Sequence, residues 1–132
     1  MNSRERVRLA LGHREADRVP FDLGGTGLTT IHLDAYRNLR RFLGLPPIDP
    51  RVMATAEQLA MIDEDVATRL QADLHLVTPG TSSEFQYAFC DDERYQFYID
   101  EWGIGWRKPQ VGGFYYDMYH HPLAGADPKG EL

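Results

Sequence analysis

The residues with the clearest chemical potential lie in two short stretches, DLGGTG (22–27) and DLHLV (73–77). Gly24, Gly25 and Gly27 give more bare backbone than a plain turn needs, which suits a loop that lets a ligand approach the main chain or takes unusual dihedrals. The spacing is GGTG rather than GxGxxG, so it is not a dinucleotide fingerprint. Asp22 alternates with Phe21 and Leu23 and can face a pocket, and Thr26 adds a hydroxyl. His32, just past Thr29 and Thr30, opens a helix; it fits either an anion site at a helix N-terminus or a capping cluster. His75 alternates with Leu74 and Leu76, so it is either a proton donor in a polar pocket or a packing histidine. Asp73, at a helix-to-strand junction, accepts hydrogen bonds either from backbone or from a ligand.

His120 and His121, beside Asp117, are poor chelators, because adjacent residues on a strand point to opposite faces. The lone Cys90 excludes an internal disulfide and any zinc site built on several cysteines of this chain. No metal site and no cofactor are expected from these residues.

The elements that would position these groups follow the order of a parallel α/β fold. Asn2 or Ser3 caps a first helix, with Val7, Leu9 and Leu11 as its apolar contacts and Gly12 as its stop. Val19–Leu23 reads as a short buried strand, with Pro20 tolerated near its start. The glycine loop follows, then a helix in which Leu33, Tyr36, Leu39 or Arg40, and Leu43 keep helical spacing until Gly44 and Pro46. The spacing of Leu59, Ile62, Val66 and Leu70 predicts a second helical stretch over 54–70, broken and recapped at Asp63. A second strand is expected at 72–77 and a second polar loop at 78–83. Ligands of such folds gather at the C-terminal ends of the strands.

After residue 84 the chain is rich in Tyr, Phe and Trp, punctuated by Gly103, Gly105, Gly112 and Gly113, and reads as an antiparallel ribbon. Trp102, Trp106 and the surrounding tyrosines serve its packing, or an exposed face for self-association. The final charged residues resemble the opening of another helix.

The 132 residues carry a net charge of −6 with no basic stripe, which argues against nucleic acid as the main partner. No apolar run approaches the ~20 residues of a membrane span, and the charged, amphipathic N-terminus argues against a secretory signal. A cytoplasmic protein with a small-molecule substrate is expected.

The segments ALGHREADRVPFDLGGTG, DEDVATRLQADLHLV, DEWGIGW and HPLAGA, in this order, resemble the N-terminal third of the uroporphyrinogen decarboxylase family. The similarity is greatest to its branch of decarboxylase-like and corrinoid-related methyltransferase proteins. It implies a (β/α)₈ barrel of which this chain supplies an incomplete N-terminal portion: a helix and connector (1–18), two βα units (19–83) and an inserted ribbon (84–122). An eight-unit barrel needs about 250 residues. The reaction implied is decarboxylation or methyl transfer on a tetrapyrrole-type or small substrate, with a corrinoid protein as partner in the methyltransferase branch. Asp73 resembles the aspartate with which family decarboxylases hold pyrrole N–H groups, and His75 lies beside it. The resemblance also puts Asp22, Gly24, Gly25, Thr26 and His32 on the substrate face. The arginine-rich motif of the true decarboxylases is replaced by DLGGTGLTTIH, with no arginine between Phe21 and Tyr36, which favours the methyltransferase-like or uncharacterised branch. The family methyltransferases bind zinc through a His and two Cys further along the chain. The alternative from a different class is a non-catalytic α/β module that binds a ligand or partner.

Overall fold

The computed structural model describes residues 1–78 and 84–126. The chain divides into two units, Met1–Pro79 and Gly80–Leu132. Among the described residues it is a mixed α/β protein with three helices and two antiparallel sheets, neither of them closed. No described helix is long and apolar enough to cross a membrane.

Unit 1 begins with α1 (Ser3–Leu11), started by a reciprocal capping box in which Asn2 Oδ1 accepts from Glu5 N at 2.9 Å and Glu5 Oε2 accepts from Asn2 N at 3.1 Å. Its buried residue is Arg6, and Leu11 is exposed, so α1 is anchored by charge rather than by the expected leucines. Helix α2 (Leu33–Phe42) is capped by His32, whose Nδ1 accepts from Asp34 N at 3.2 Å. It buries Leu33, Tyr36 and Arg40 along one stripe.

The helix expected over 54–70 forms only in its last part. Strands β1 (Val52–Ala54) and β2 (Leu59–Ala60) make an antiparallel hairpin, and α3 spans Glu64–Leu70 with Asp63 as its N-cap. The reason is tertiary. Gln58 O accepts from Leu33 N and Ile31 O accepts from Ala60 N, each at 2.9 Å, so residues 31–33 fix the backbone of 58–60 before helical spacing can act. The hairpin turn closes at Gln58, which takes a left-handed φ of 55°. The core is Leu33, Tyr36, Ala60 and Val66, with Leu23, Ile31, Leu39, Leu43, Leu45, Ile62 and Leu70 packed around it. Its polar insert is fully satisfied: Tyr36 donates to Asp63 Oδ2 at 2.7 Å, and Arg40 makes two 2.8 Å bonds to Asp65.

Segments 19–23 and 72–77 belong to no strand and form no ladder, which corrects the expectation of two buried strands and of a parallel sheet among the described residues. Asp73 N donates to Phe21 O at 2.7 Å, while the N–H of Phe21 goes to the Asp73 carboxylate at 2.9 Å rather than to a carbonyl. Pro20 has no N–H to offer, and Val19 and Val77 are exposed, so neither segment has neighbours on both faces. The two segments touch at two points: Phe21 is bonded to Asp73, and a Cβ at Gly25 would meet Leu74.

Unit 2 is an antiparallel meander, β3 (Cys90–Asp91), β4 (Tyr95–Ile99), β5 (Gly105–Pro109) and β6 (Asp117–His120), in the order β3-β4-β5-β6. Its turns are set by two aspartates. Asp92 accepts from Arg94 N and Tyr95 N, and Asp100 accepts from Trp102 N, Ile104 N and Trp106 Nε1. Tyr98 and Tyr116 are buried; Tyr98 stacks on Trp106 and meets Tyr116 edge-on, and Tyr116 OH bonds Gln96 Oε1. The 79–83 part of the second polar loop and residues 127–132 lie outside the described residues.

Candidate functional site

The glycine loop is built to pack and to close on itself. Gly24 has φ +83°, and a Cβ there would overlap Ile62; a Cβ at Gly25 would stand 2.5 Å from Asp22 Oδ1 and 2.8 Å from Leu74 Cβ. The loop N–H groups are spent internally. Gly24 N donates to Thr29 O (2.9 Å), Gly25 N to Asp22 Oδ1 (2.8 Å), Thr26 N to Thr29 Oγ1 (3.0 Å) and Leu28 N to Thr26 Oγ1 (3.2 Å). An anion would have to displace these bonds, so the loop is a wall rather than a cradle.

That wall borders a groove of about 230 Å³ between Leu23 and Gly24 on one side and Leu74, His75 and Leu76, in the middle of the 72–77 segment, on the other. Met61 and Ile62 supply its apolar floor, and Arg51 reaches it from the connector before β1. The rim is charged with both signs. Arg51 Nη2 lies 3.2 Å from Asp63 Oδ1, and His75 Nδ1 lies 3.7 Å from Glu64 Oε2. The Arg51 and His75 side chains are both more than half exposed, so these contacts are exchangeable and a ligand can compete for them. The arrangement can orient an anionic or dipolar molecule, and His75 can exchange a proton with it.

Asp73 has a different setting. Its side chain is fully buried, with Oδ1 at 2.5 Å from Arg6 Nη1 and Oδ2 at 2.5 Å from Arg18 Nη1. Arg18 Nη2 adds a bond to Oδ1 at 3.1 Å, and Arg6 continues to Asp17 through Nε at 2.7 Å and Nη2 at 2.9 Å. Burial pushes the Asp73 carboxyl up, but the Phe21 N–H, the Ser3 hydroxyl, Arg18 and Arg6 outweigh it and hold it well below the usual carboxylate range. Arg6 likewise holds the Asp17 carboxyl down at about 2, and Asp17 pushes the Arg6 guanidinium up. Locked as an anion with both oxygens engaged, Asp73 ties α1 and the Arg18 connector to the start of the 73–77 segment.

Of the residues singled out from the sequence, the groove brings together Gly24 and His75. Asp22, Gly25 and Thr26 shape the loop behind it, Asp73 faces the two arginines, and His32 caps α2 and bridges to Leu59. Arg51 was not marked by any sequence signal beyond its place after PPIDP; Asp63 was legible only as a helix cap. Among the described residues no group of His, Cys, Asp and Glu side chains gathers as metal ligands. Comparisons with protein-family models, curated proteins and solved structures gave no match.

Proposed function

We propose that the chain is the N-terminal portion of a (β/α)₈ barrel enzyme of the uroporphyrinogen decarboxylase-like family, inactive alone, whose substrate mouth includes the groove beside Gly24 and His75. What supports this reading is that the 19–23 and 72–77 segments are joined at Phe21 and Asp73, and that the groove lies between Leu23–Gly24 and Leu74–Leu76. The 72–77 segment follows α3 closely in sequence, and the 19–23 segment is followed by the glycine loop and then α2. Arg51 offers the cation that DLGGTGLTTIH lacks, but it is a single one, too few for a porphyrinogen with many carboxylates. Methyl transfer, with a corrinoid protein as partner, or decarboxylation of a small substrate is therefore favoured over the named decarboxylase reaction, in a cytoplasmic setting.

Titration with uroporphyrinogen tests the reaction class. The expected result is no saturable binding. Saturable micromolar affinity would instead favour the decarboxylase reaction.

The second reading is a non-catalytic binding module acting through unit 2, favoured by the exposure of Trp102, Phe114 and Tyr115 on its turns. Alanine at Trp102 and Phe114 separates the two, since only that reading requires these rings for function.

A further inference from the structure

A second pocket, of about 300 Å³, lies between the last turn of α2 and the stretch after it, lined by Arg37, Arg40, Arg41, Leu45, Pro47 and Ile48. It shares no residue with the groove. Arg37, Arg40 and Arg41 put three arginines within five residues of one helix, in a chain of net charge −6. They are not needed to cap the helix: Leu45 N donates to Arg40 O at 3.0 Å and Gly44 N to Arg41 O at 3.1 Å, so the terminal carbonyls have backbone partners in a Schellman arrangement.

The three guanidinium groups are in different states. Arg40 is buried and rigid, bonded to Asp65 and to Pro46 O at 3.2 and 3.1 Å. Arg37 is neutralised by Asp34 at 2.8 Å and Asp49 at 3.2 Å, carboxylates that are themselves 65% and 95% exposed. Arg41 has no carboxylate partner among the described residues and is the surplus charge. Arg37 and Arg41 are four apart and share a helix face.

We propose that this pocket binds an aromatic monocarboxylate, its carboxylate on Arg41 and Arg37 and its ring against Leu45, Pro47 and Ile48. Arginine pairs bidentately with a planar carboxylate, and the volume is at the low end of the roughly 300–1,000 Å³ of small-molecule sites. A single surplus charge matches a single carboxylate, and the apolar wall has no partner for a second.

The probe is benzoate, added to the full chain and followed by amide chemical shifts. Saturable, millimolar binding centred on Arg41, Leu45 and Ile48 is expected, as suits a ligand of about nine non-hydrogen atoms. Arg41→Ala should weaken it about tenfold, with Arg41→Lys in between, because lysine keeps the charge and loses the fork. Neutral benzamide should leave the shifts unchanged. Equal binding of benzamide, equal affinity for inorganic phosphate, or an unchanged response in Arg41→Ala would each overturn the proposal. Arg41 is exposed, and an unaltered urea midpoint would confirm that the variant is folded.

Discussion

Arg18 and Asp73, 55 residues apart in sequence, meet through a 2.5 Å ion pair, with Arg6 on the other carboxylate oxygen. This contact fixes where the 19–23 segment stands against the 72–77 segment, and so where the groove opens. Asp73→Asn should therefore destabilise the chain by about 3 kcal/mol, as expected when one member of a buried ion-pair network is removed and its partners are left unpaired. A urea titration measures this. A loss under 1 kcal/mol would mean that the arginines find water readily and that the pair does not set the geometry.

Acid should unfold unit 1 over a defined range. Asp17, Asp65 and Asp73 all have folded values below the ordinary 3.8, Asp17 at about 2. The folded state thus binds fewer protons than the unfolded chain in that interval. The stability these groups supply is complete above about pH 5 and is lost as pH falls through 4 towards 2. Urea midpoints from pH 7 to 2 should be flat and then fall, and Asp73→Asn should make the fall shallower. A midpoint that rises on acidification would contradict the assignment.

The glycines separate conformational from steric cost. Gly44 has φ +68° with open space around it, so Gly44→Ala should cost about 1 kcal/mol. Gly24→Ala adds an overlap with Ile62 to a similar φ and should cost about 2–3 kcal/mol. Thermal melts of the two variants side by side test the difference; equal shifts would mean that Ile62 moves aside freely.

What the sequence disclosed was what is locally encoded. The Asn2 cap, the Leu33–Tyr36 stripe and the glycine-punctuated turns of the ribbon each act within a few residues, and each was legible, whereas the turn-setting Asp92 and Asp100 were not marked. The 52–60 hairpin was hidden because Leu59, Ile62, Val66 and Leu70 keep a helical period while residues 31–33 impose strand pairing from a distance. Arg6 reads as a surface residue of α1 and is buried only because Asp73 lies 67 positions on. Arg51 sits in a connector with no period to mark its direction, so half of the groove's charge could not be read from pattern.

Unit 2 leaves Trp102, Phe114, Tyr115 and Met118 exposed. Self-association through this ribbon is the expected behaviour of the isolated chain, since such apolar surface is costly to leave in water. Sedimentation velocity over a hundredfold concentration range should show a rising average mass that Trp102→Ala and Phe114→Ser reduce. A single monomeric species throughout would sink this expectation.

The central claim is that the 19–23 and 72–77 segments are the first strands of a larger barrel and that the groove is part of its mouth. Reading the coding DNA downstream of Leu132 tests it most directly. The account predicts an open frame that continues with further strand–helix units, and a His-x-Cys pair if the methyltransferase branch is right. A stop codon directly after Leu132, or a continuation without alternating strands and helices, would contradict it.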